Sequence, residues 1–591
     1  MCGIHLIWGK GANEASIQKM LEMSRHRGPD QEASYSPWPG LWVGASRLKI
    51  LHTGPDADMP FWSPDGRSLL LWNGEIYNYK ELRSLLVKMG IEFITQSDTE
   101  VLLHWLRLYG TNGLEKIEGM FVLFFLDLSS QSVLVARDKN GEKPLYYSQN
   151  QDVLVISSES RAIAEFGGSQ FDKRQIENYY FLRTPLQGKT FFKGVKEWKP
   201  ERYSVIKQHS AFRWDQIPFQ AKRNDTPNQN GFREALLNSI QKQFHADVPV
   251  GMMLSGGMDS SLLYAMWYRE SGIPLNAYTI QLEEKYRKKY EDSTYASRLV
   301  EKFPAHHHLI PINQTIFFNN WEAYLNAVDL PIGDSAGFLT WMIGKEAKKD
   351  VKVLVSGAGA DELWGGYQRH RAFDQYLEHK NFLLKYRKLF QSLPLGRGWK
   401  KFFNALDSNP RKTFLNFSAL EPVSEDMYSD YERVFDTNLP WYKQMLDFDR
   451  KVYLVQDVLK IQDNALMAHG LEGRSPYLDQ EMIDLWEQVR DEEQLKGKPW
   501  IKSCLNDLQL GWLAKRKKMG FGLPLAEWFA EKGEFSKRVF SALEEFQEEY
   551  GDYFPSEMKA LLTDKDTAGK YHFLTLYNLF LLAEWVKSQK L

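Results

Sequence analysis

Cysteine is scarce in this chain of 591 residues, which contains only Cys2 and Cys504. Two cysteines cannot form the disulfide framework of a small secreted protein, so we expect a reducing compartment. The first ten residues, MCGIHLIWGK, do not place a basic stretch before an apolar one, so we expect no secretory signal there. These features predict a cytoplasmic protein.

Long apolar runs are also lacking. The most apolar stretches, residues 120–126 and 573–582, are too short or too interrupted to cross a bilayer. No charge of one sign is in excess, because 74 Lys and Arg residues face 76 Asp and Glu residues, a formal net charge of -2. Proteins that coat nucleic acid or anionic membranes gain affinity from a basic excess. We therefore predict no nucleic-acid partner and no membrane partner.

The composition that remains is that of a folded protein, with 43% hydrophobic and 25% charged residues. The length predicts two or more domains. The first two hundred residues contain short strand patterns separated by Gly, Asp, Asn and Pro, at 41–45, 68–72, 120–126, 132–136 and 153–157. Two helices are predicted among them, at 14–24 and 99–109. This pattern is typical of an α+β domain, which we place at 2–215, followed by a polar linker at 216–231.

The remaining residues, 232–591, show a different rhythm. Strands predicted at 250–254, 277–282, 308–312 and 351–355 alternate with helices, including 232–244, one from about 260, and 294–303. Alternation of this kind predicts a parallel sheet wound with helices, whose ligands lie at the carboxyl ends of the strands. Beyond Gly366 the pattern is mostly helical, with no further strong strand.

A glycine-rich string, LSGGMDSS at Leu254–Ser261, lies between a predicted strand and a predicted helix. Glycines allow the backbone to approach phosphate, and the N–H groups of the turn and helix start bind an anion. A glycine turn with a Ser or Asp helix cap is the alternative, but the whole string in this setting favours phosphate. It contains no Gly-Lys-Ser/Thr, so it is not a Walker loop. It resembles the SGGxDS loop of enzymes that split ATP into AMP and pyrophosphate.

A second string, SGAGADE at Ser356–Glu362, also follows a predicted strand. In a parallel sheet both strings lie at the same edge, so Asp259 and Asp361 are candidates for one Mg²⁺. The alternative is a strand-to-helix loop whose acids complement the helix dipole.

At the amino terminus, removal of Met1 would give Cys2 both a thiol and a free α-amine. An α-amine has a pKa of about 7.7–8.0, so it can act as a local base for the thiol. Four further strings accompany this residue: RHRGPD at 25–30, SRL at 46–48, NGEIYN at 73–78 and SD at 97–98.

Taken together with RD…GEKPL at 137–145, LEGRSPYLD at 471–479 and KRKKMGF at 515–521, these strings make the chain resemble glutamine-hydrolysing asparagine synthetases over nearly its whole length. The resemblance implies an α+β N-terminal-nucleophile sandwich with class II glutamine amidotransferase activity. An α/β parallel-sheet ATP-pyrophosphatase domain with a mostly helical C-terminal part would follow it. It also implies ATP as a substrate, Mg²⁺ as a cofactor, and glutamine and aspartate as the other substrates.

The resemblance assigns roles at matching positions. The implied catalytic residues are Cys2, Asn73, Gly74 and Lys518. The implied glutamine-binding residues are Arg47, Glu75 and Asp98. The implied nucleotide-binding and pyrophosphate-binding residues are Met253, Ser255, Gly256, Gly257, Asp259, Ser260, Ile280, Ser356 and Gly357. The implied metal ligands are Asp259 and Asp361. For Lys518, the alternative is a solvated basic run at 515–518.

One position departs from the family pattern. Ala358 stands where most asparagine synthetases have an acidic residue, which is thought to aid adenylate formation or take a proton from ammonia. The AMP phosphate or Glu362 would have to replace it.

Three functions therefore stay open: asparagine synthesis, amidation or cyclisation of another carboxylate such as a sugar acid or peptide, and a regulatory protein that has lost the reaction. The sequence does not establish the oligomeric state, for which a homodimer is the assembly considered.

Overall fold

The computed structural model describes residues 2–207, 213–218, 227–287, 289–518, 520–551 and 556–589. Met1 lies outside the described residues. So do residues 219–226, which are half of the predicted linker at 216–231.

The amino-terminal part contains two antiparallel sheets, each with six strands in the described part of the chain. Their strand orders are β10-β8-β9-β1-β3-β2 and β12-β11-β7-β6-β5-β4. The strands are β1 (Cys2–Gly9), β2 (Gln31–Trp38), β3 (Leu41–Arg47), β4 (Phe61–Trp62), β5 (Ser68–Ile76), β6 (Gly119–Asp127), β7 (Ser132–Arg137), β8 (Tyr146–Gln149), β9 (Val153–Ser157), β10 (Lys196–Glu197), β11 (Arg202–Lys207) and β12 (Asp215–Gln216). All five strands predicted here are confirmed.

Successive side chains along each strand point to opposite faces of its sheet, so one face of each sheet supplies side chains to a core shared by the two sheets. In β1, Leu6 joins the core between the sheets together with Leu71 of β5, whereas Ile7 joins a second core on the outer face with Ile17 of the first helix. The helices of this part are α1 (Glu14–Ser24), α2 (Tyr79–Lys88), α3 (Asp98–Tyr109), α4 (Ser160–Gly167) and α5 (Lys173–Leu182). The predicted α+β sandwich is therefore confirmed.

The second part is built on a parallel sheet of order β15-β14-β13-β16-β17. Its strands are β13 (Val250–Met253), β14 (Asn276–Leu282), β15 (His306–Ile312), β16 (Val353–Val355) and β17 (Glu472–Arg474). The four predicted strands are confirmed. No further strong strand was expected beyond Gly366, and the structure adds one short strand there, β17, which pairs with β16 from far along the chain. Its three residues include two buried charged side chains, so no apolar pattern marks it.

Helices surround this sheet and form most of the chain beyond it, as predicted. Those up to the end of β16 are α6 (Gln229–Gln243), α7 (Met258–Ser271), α8 (Glu284–Arg287), α9 (Asp292–Lys302), α10 (Gln314–Ala327) and α11 (Ala336–Ala347). Those that follow are α12 (Ala360–Trp364), α13 (Gln368–Ser392), α14 (Arg397–Ala405), α15 (Pro410–Ser418), α16 (Glu425–Glu432), α17 (Trp441–Phe448), α18 (Leu459–Met467), α19 (Gln480–Gln488), α20 (Pro499–Asp507), α21 (Gly511–Ala514), α22 (Leu525–Ala530), α23 (Glu534–Tyr550), α24 (Ser556–Thr563), α25 (Lys565–Tyr571) and α26 (Phe573–Gln589). Within the described ranges, none of these helices is long and apolar enough to cross a membrane.

Candidate active sites

Cys2 and Asn73 meet across the sandwich, from the start of β1 and the interior of β5. The Cys2 backbone N–H donates to Asn73 Oδ1 at 2.8 Å, and both residues are buried. This hydrogen bond orients the Asn73 side-chain amide, because only the amide oxygen can accept a hydrogen bond. Asn73 Nδ2 is then a buried donor without a hydrogen-bond partner among the described residues. A buried donor left unpaired is costly, and this one lies beside the thiol-bearing residue.

Gly74 follows Asn73 in β5 and runs against β6. A Cβ built on Gly74 would lie 1.9 Å from the Met120 carbonyl oxygen, so no other residue fits this position without moving the backbone. The close packing of the two strands therefore requires the glycine.

Arg47 lies opposite Cys2 in the β1–β3 pairing. Its guanidinium donates to Asp58 Oδ1 at 2.8 Å and to the carbonyl oxygens of Leu51 and His52. Lys49 also contacts the same Asp58 oxygen, at 2.8 Å. Arg47 is predicted to bind the carboxylate of the substrate, and its guanidinium is thus already paired with a carboxylate of its own chain.

The two acidic residues predicted to bind glutamine are both buried near this point. Asp98 opens α3, accepts a hydrogen bond from the Ile76 backbone N–H at 3.2 Å, and has its pKa raised to about 6, chiefly by burial. Burial and the neighbouring Glu472 raise the pKa of Glu75 well above its usual value, although the Arg474 guanidinium, 3.2 Å away, acts in the opposite direction. The structure therefore brings all six sequence-predicted glutaminase residues into one region.

Burial also raises the pKa of the Cys2 thiol, while the Leu48 backbone and the Arg47 charge lower it in part. A thiol in this setting needs a base before it can attack.

The first glycine-rich loop joins β13 to α7. Gly256 has a φ of 65°, and a Cβ there would lie 2.3 Å from the Asp292 carbonyl oxygen. The hydroxyls of Ser255 and Ser260 lie 3.0 Å apart, and Gly257 caps the helix. The loop therefore presents hydroxyls and a helix start at the carboxyl end of a parallel strand, the arrangement that binds phosphate.

The second loop, after β16, contacts the first. A Cβ on Gly357 would lie 3.1 Å from Asp259 Cβ and 3.2 Å from the Ser260 nitrogen. Ser356 Oγ donates to Gln462 Oε1 at 2.5 Å and accepts from the Ala358 N–H at 3.3 Å. The prediction that both loops lie at one edge of the sheet is confirmed by the adjacent pairing of β13 and β16.

Asp259 and Asp361 converge on a single ammonium. Lys498 Nζ lies 2.7 Å from both Asp259 carboxylate oxygens and 2.6 Å from Asp361 Oδ1, and Lys518 Nζ also contacts Asp361. Burial raises the pKa of the Asp361 carboxyl, but Lys498 and Lys518 outweigh it and hold the pKa well below its usual range. Lys518 is therefore in an ion pair rather than in a purely solvated run.

The remaining predicted residues flank these loops. Met253 ends β13 and is half-buried, and Ile280 is buried in the neighbouring β14. Ala358 is half-buried between Gly357 and Gly359. Glu362, the suggested substitute for the missing acid, is buried and accepts a 2.5 Å hydrogen bond from the Tyr367 hydroxyl.

Sequence reasoning missed Lys498 and Arg474 as members of these sites. Lys498 follows Gly497, has a left-handed φ of 64°, and precedes Pro499 at the start of α20. This Gly-Lys-Pro sequence indicates a turn but does not indicate a catalytic or binding role. Arg474 lies inside the LEGRSPYLD string, but nothing in the sequence indicates that its side chain contacts Glu75. Arg27, from the RHRGPD string, also links the two parts of the chain through a 2.9 Å ion pair with Asp463.

Comparison with known proteins agrees with this arrangement. A family model described as asparagine synthase matches residues 231–587, and one described as glutamine amidotransferase domain matches residues 1–214. "Asparagine synthetase [glutamine-hydrolyzing] 1" of Bacillus subtilis is 27% identical over 584 residues, covering 93% of this chain and 90% of that protein. "Amidase chry2" of Gibberella zeae is 24% identical and covers 79% of this chain and 77% of that protein.

Among solved structures, the glutamine phosphoribosylpyrophosphate amidotransferase of B. subtilis matches with a TM-score of 0.30 and 17% identity, covering 52% of this chain and 81% of that one. The asparagine synthase model alone spans more than half of the chain, so this protein belongs to the asparagine synthase family and carries a glutamine amidotransferase domain in front of the synthase domain.

Proposed function

We propose that this protein makes asparagine from aspartate, with glutamine as the nitrogen donor and ATP as the energy source. In this reaction glutamine is hydrolysed in the amino-terminal domain and ammonia passes inside the protein to the second domain. There, aspartate is activated as β-aspartyl-AMP with release of pyrophosphate, and ammonia displaces AMP.

The observation that carries this proposal is the position of β17 between the two sites. The Arg474 side chain contacts Glu75 at 3.2 Å, and its backbone carbonyl accepts a 2.9 Å hydrogen bond from the Ser356 N–H of the second glycine-rich loop. A candidate amide-hydrolysing site and a candidate phosphate site thus share one strand. This contact favours a reaction in which one site supplies the other.

In the glutaminase half, the Cys2 α-amine takes the thiol proton and the sulfur attacks the glutamine amide carbon. Asn73 Nδ2 and the Gly74 N–H stabilise the resulting oxyanion, and the unpaired state of Nδ2 suits that role. Arg47 exchanges Asp58 for the substrate α-carboxylate, and Glu75 and Asp98 bind the α-ammonium. The protonated Cys2 α-amine then returns its proton to the amide nitrogen, the C–N bond breaks and ammonia leaves. Water hydrolyses the remaining thioester to glutamate and regenerates the thiol.

In the synthetase half, Ser255–Ser260 bind the phosphates through hydroxyl and N–H groups, and Lys518 balances their charge. Asp259 and Asp361 fit Mg²⁺, because both carboxylates already converge on one cation and are the oxygen ligands that this ion prefers. Bound there, Mg²⁺ would neutralise phosphate charge. The loop residues hold ATP so that an aspartate β-carboxylate oxygen attacks the α-phosphorus and pyrophosphate leaves.

The test supplies ATP, Mg²⁺, aspartate and amide-labelled glutamine to the purified protein. We expect labelled asparagine and AMP in equal amounts, both dependent on aspartate. Rapid glutamate release without aspartate-dependent AMP would contradict the proposal.

A second function, amidation or cyclisation of a different carboxylate, is favoured by Ala358 and by the relatives named amidases. An amine that attacks an acyl adenylate must lose a proton, and a positioned base contributes about 10²–10⁴-fold. Ammonia that arrives neutral needs no base before attack, so we keep asparagine synthesis as the first proposal. A screen of ATP–pyrophosphate exchange against carboxylic acids separates the two, since the true acceptor gives the highest exchange rate.

A further inference from the structure

Residues 380–404 form a helical hairpin, made by the second half of α13 and by α14, which we call the basic hairpin. Helix α13 is interrupted at His379, where φ is -115° and ψ is 19°. Beyond it, Arg387 donates to the Asn404 carbonyl and Gln391 to the Phe403 carbonyl, which ties the two helices together. Phe402 and Phe403 near the end of the hairpin are buried in a core, whereas none of residues 377–401 is fully buried, so most of the hairpin lies at the surface.

Three exposed apolar side chains of the basic hairpin recur at helical spacing on α13: Phe382, Tyr386 and Leu389. At 3.6 residues per turn these positions lie on one face, over a length of roughly 11 Å. Leu393, just beyond the end of the helix, is also exposed. Leu389 is 57% exposed, and Trp399 of α14 is also 57% exposed. Phe390 stacks on Phe403 beneath them at 4.6 Å between ring centroids. Scattered exposed apolar residues are ordinary, but an ordered stripe of them marks a contact surface.

The charge of this hairpin has one sign. Seven Lys and Arg residues and no Asp or Glu lie between His379 and Leu406, in a chain that is otherwise balanced. In the part of the chain that the structure describes, none of the seven lies in an ion pair with a carboxylate. They are Lys380, Lys385, Arg387, Lys388, Arg397, Lys400 and Lys401. Arg397 and Lys400 lie over the rings of Phe573 and Tyr571, so the cations of α13 are the ones that remain beside the exposed stripe.

We propose that the basic hairpin is a peripheral binding surface for an anionic lipid bilayer. Exposed Phe, Tyr, Leu and Trp side chains enter the boundary between headgroups and acyl chains, while flanking Lys and Arg side chains contact lipid phosphates. The inference does not rest on the proposed reaction. It differs from the prediction of no membrane partner, which was based on the charge of the whole chain.

Other occupants fit less well. A second copy placed by two-fold symmetry would set two uncompensated basic faces against each other. Nucleic acid would meet the lysines at the edge but would leave the central apolar stripe against phosphates or water. An acidic protein has the right charge, and the experiment below distinguishes it.

The test is co-sedimentation of the full-length protein with vesicles of phosphatidylcholine alone or mixed with phosphatidylglycerol, at low and high salt. We expect binding to the mixed vesicles, weakened by salt, and none to the neutral ones. Lys385→Glu with Lys388→Glu should lower the partition coefficient by about tenfold or more. Leu389→Ser with Trp399→Ser should lower it by a similar factor, on the order of tenfold.

The matched controls lie on other surfaces. Lys88→Glu with Lys537→Glu changes net charge equally, and Val87→Ser with Ile94→Ser removes exposed apolar residues of the amino-terminal domain. Both controls should bind as the parent does, and all variants should keep the parental melting temperature. The proposal would be overturned if the parent did not bind mixed vesicles, or if both hairpin variants bound them with the partition coefficient of the parent. The proposal would also be overturned if the parent were retained by polyglutamate but not by vesicles and both hairpin variants lost that retention. That result would identify the hairpin as a binding surface for an acidic protein.

Discussion

Arg474 lies between two buried carboxylates and contacts Glu75 at 3.2 Å. Its Nε donates to Glu472 at 2.6 Å, and Nη1 donates to the carbonyl oxygens of Gln243 and His245. One side chain from the second domain therefore sets the charge balance around a candidate glutamine-binding residue of the first domain.

We expect Arg474→Met to lower the free energy of unfolding by about 3–5 kcal/mol, because it leaves buried carboxylates without their cation. Arg474→Lys keeps the charge but cannot make all the directed hydrogen bonds, so it should fold, with a higher KM for glutamine than the parent. Thermal unfolding and glutaminase kinetics measure both effects. Arg25→Lys, at an exposed ion pair with Glu32, is the control and should change neither.

Cys2→Ala should reduce glutamine hydrolysis by on the order of 10³-fold or more, because the attacking sulfur is gone. Synthesis from ammonium should persist, since the phosphate loops belong to another domain. Cys504→Ala removes the other free cysteine, which is also buried, and should leave hydrolysis intact. Glutamate release by the Cys2 variant at the parental rate would exclude the thiol as nucleophile.

Asn73→Asp keeps the oxygen that accepts the Cys2 N–H but removes the unpaired Nδ2 donor. We expect kcat for glutamine hydrolysis to fall by about 10²–10³-fold, the cost of losing one oxyanion donor. Asn78→Asp is the matched control, because its amide bonds the Lys116 carbonyl instead. An unchanged kcat in the Asn73 variant would remove this residue from the oxyanion site.

Lys498→Met should leave Asp259 and Asp361 facing each other without their shared ammonium. The variant should unfold at a lower temperature than the parent, and Mg²⁺ with ATP should raise its melting temperature more than that of the parent. Lys502→Met, in the helix that begins directly after Lys498, should show neither change. If Mg²⁺ and ATP raise the melting temperature of neither the parent nor the variant, the two carboxylates are not a metal site.

Asp98 must be ionised to pair with the α-ammonium of glutamine, and its pKa is raised to about 6. The value of kcat/KM for glutamine should therefore fall as the pH falls through about 6. Asp98→Asn should lower kcat/KM by about 10–100-fold at neutral pH, through loss of a charged hydrogen bond, and abolish this pH step. Asp152→Asn, at an exposed position, should preserve both rate and profile. A step that survives in the Asp98 variant would belong to another group.

Much of the fold was predictable because it is written in local patterns. The strands of the sandwich are short apolar runs between turn-forming residues, and the parallel sheet follows from strand–helix alternation. The meeting of Asp259 and Asp361 was predictable for the same reason, since neighbouring parallel strands end at one edge. The strand–turn–helix setting indicated both loops, and the resemblance to the family indicated the Cys2–Asn73–Glu75 group.

Other contacts depended on the tertiary structure alone. Strand β17 is three residues long and carries two charges, so only its pairing with β16 makes it a strand. Lys498 reaches both aspartates because α20 begins beside the loops, and Asp58 reaches Arg47 because a loop folds back. Local sequence accounts for the residue types and for the helices and strands that they form. The charges that face each other follow from the folded arrangement, because an ion pair depends on distance in space and not on separation along the chain.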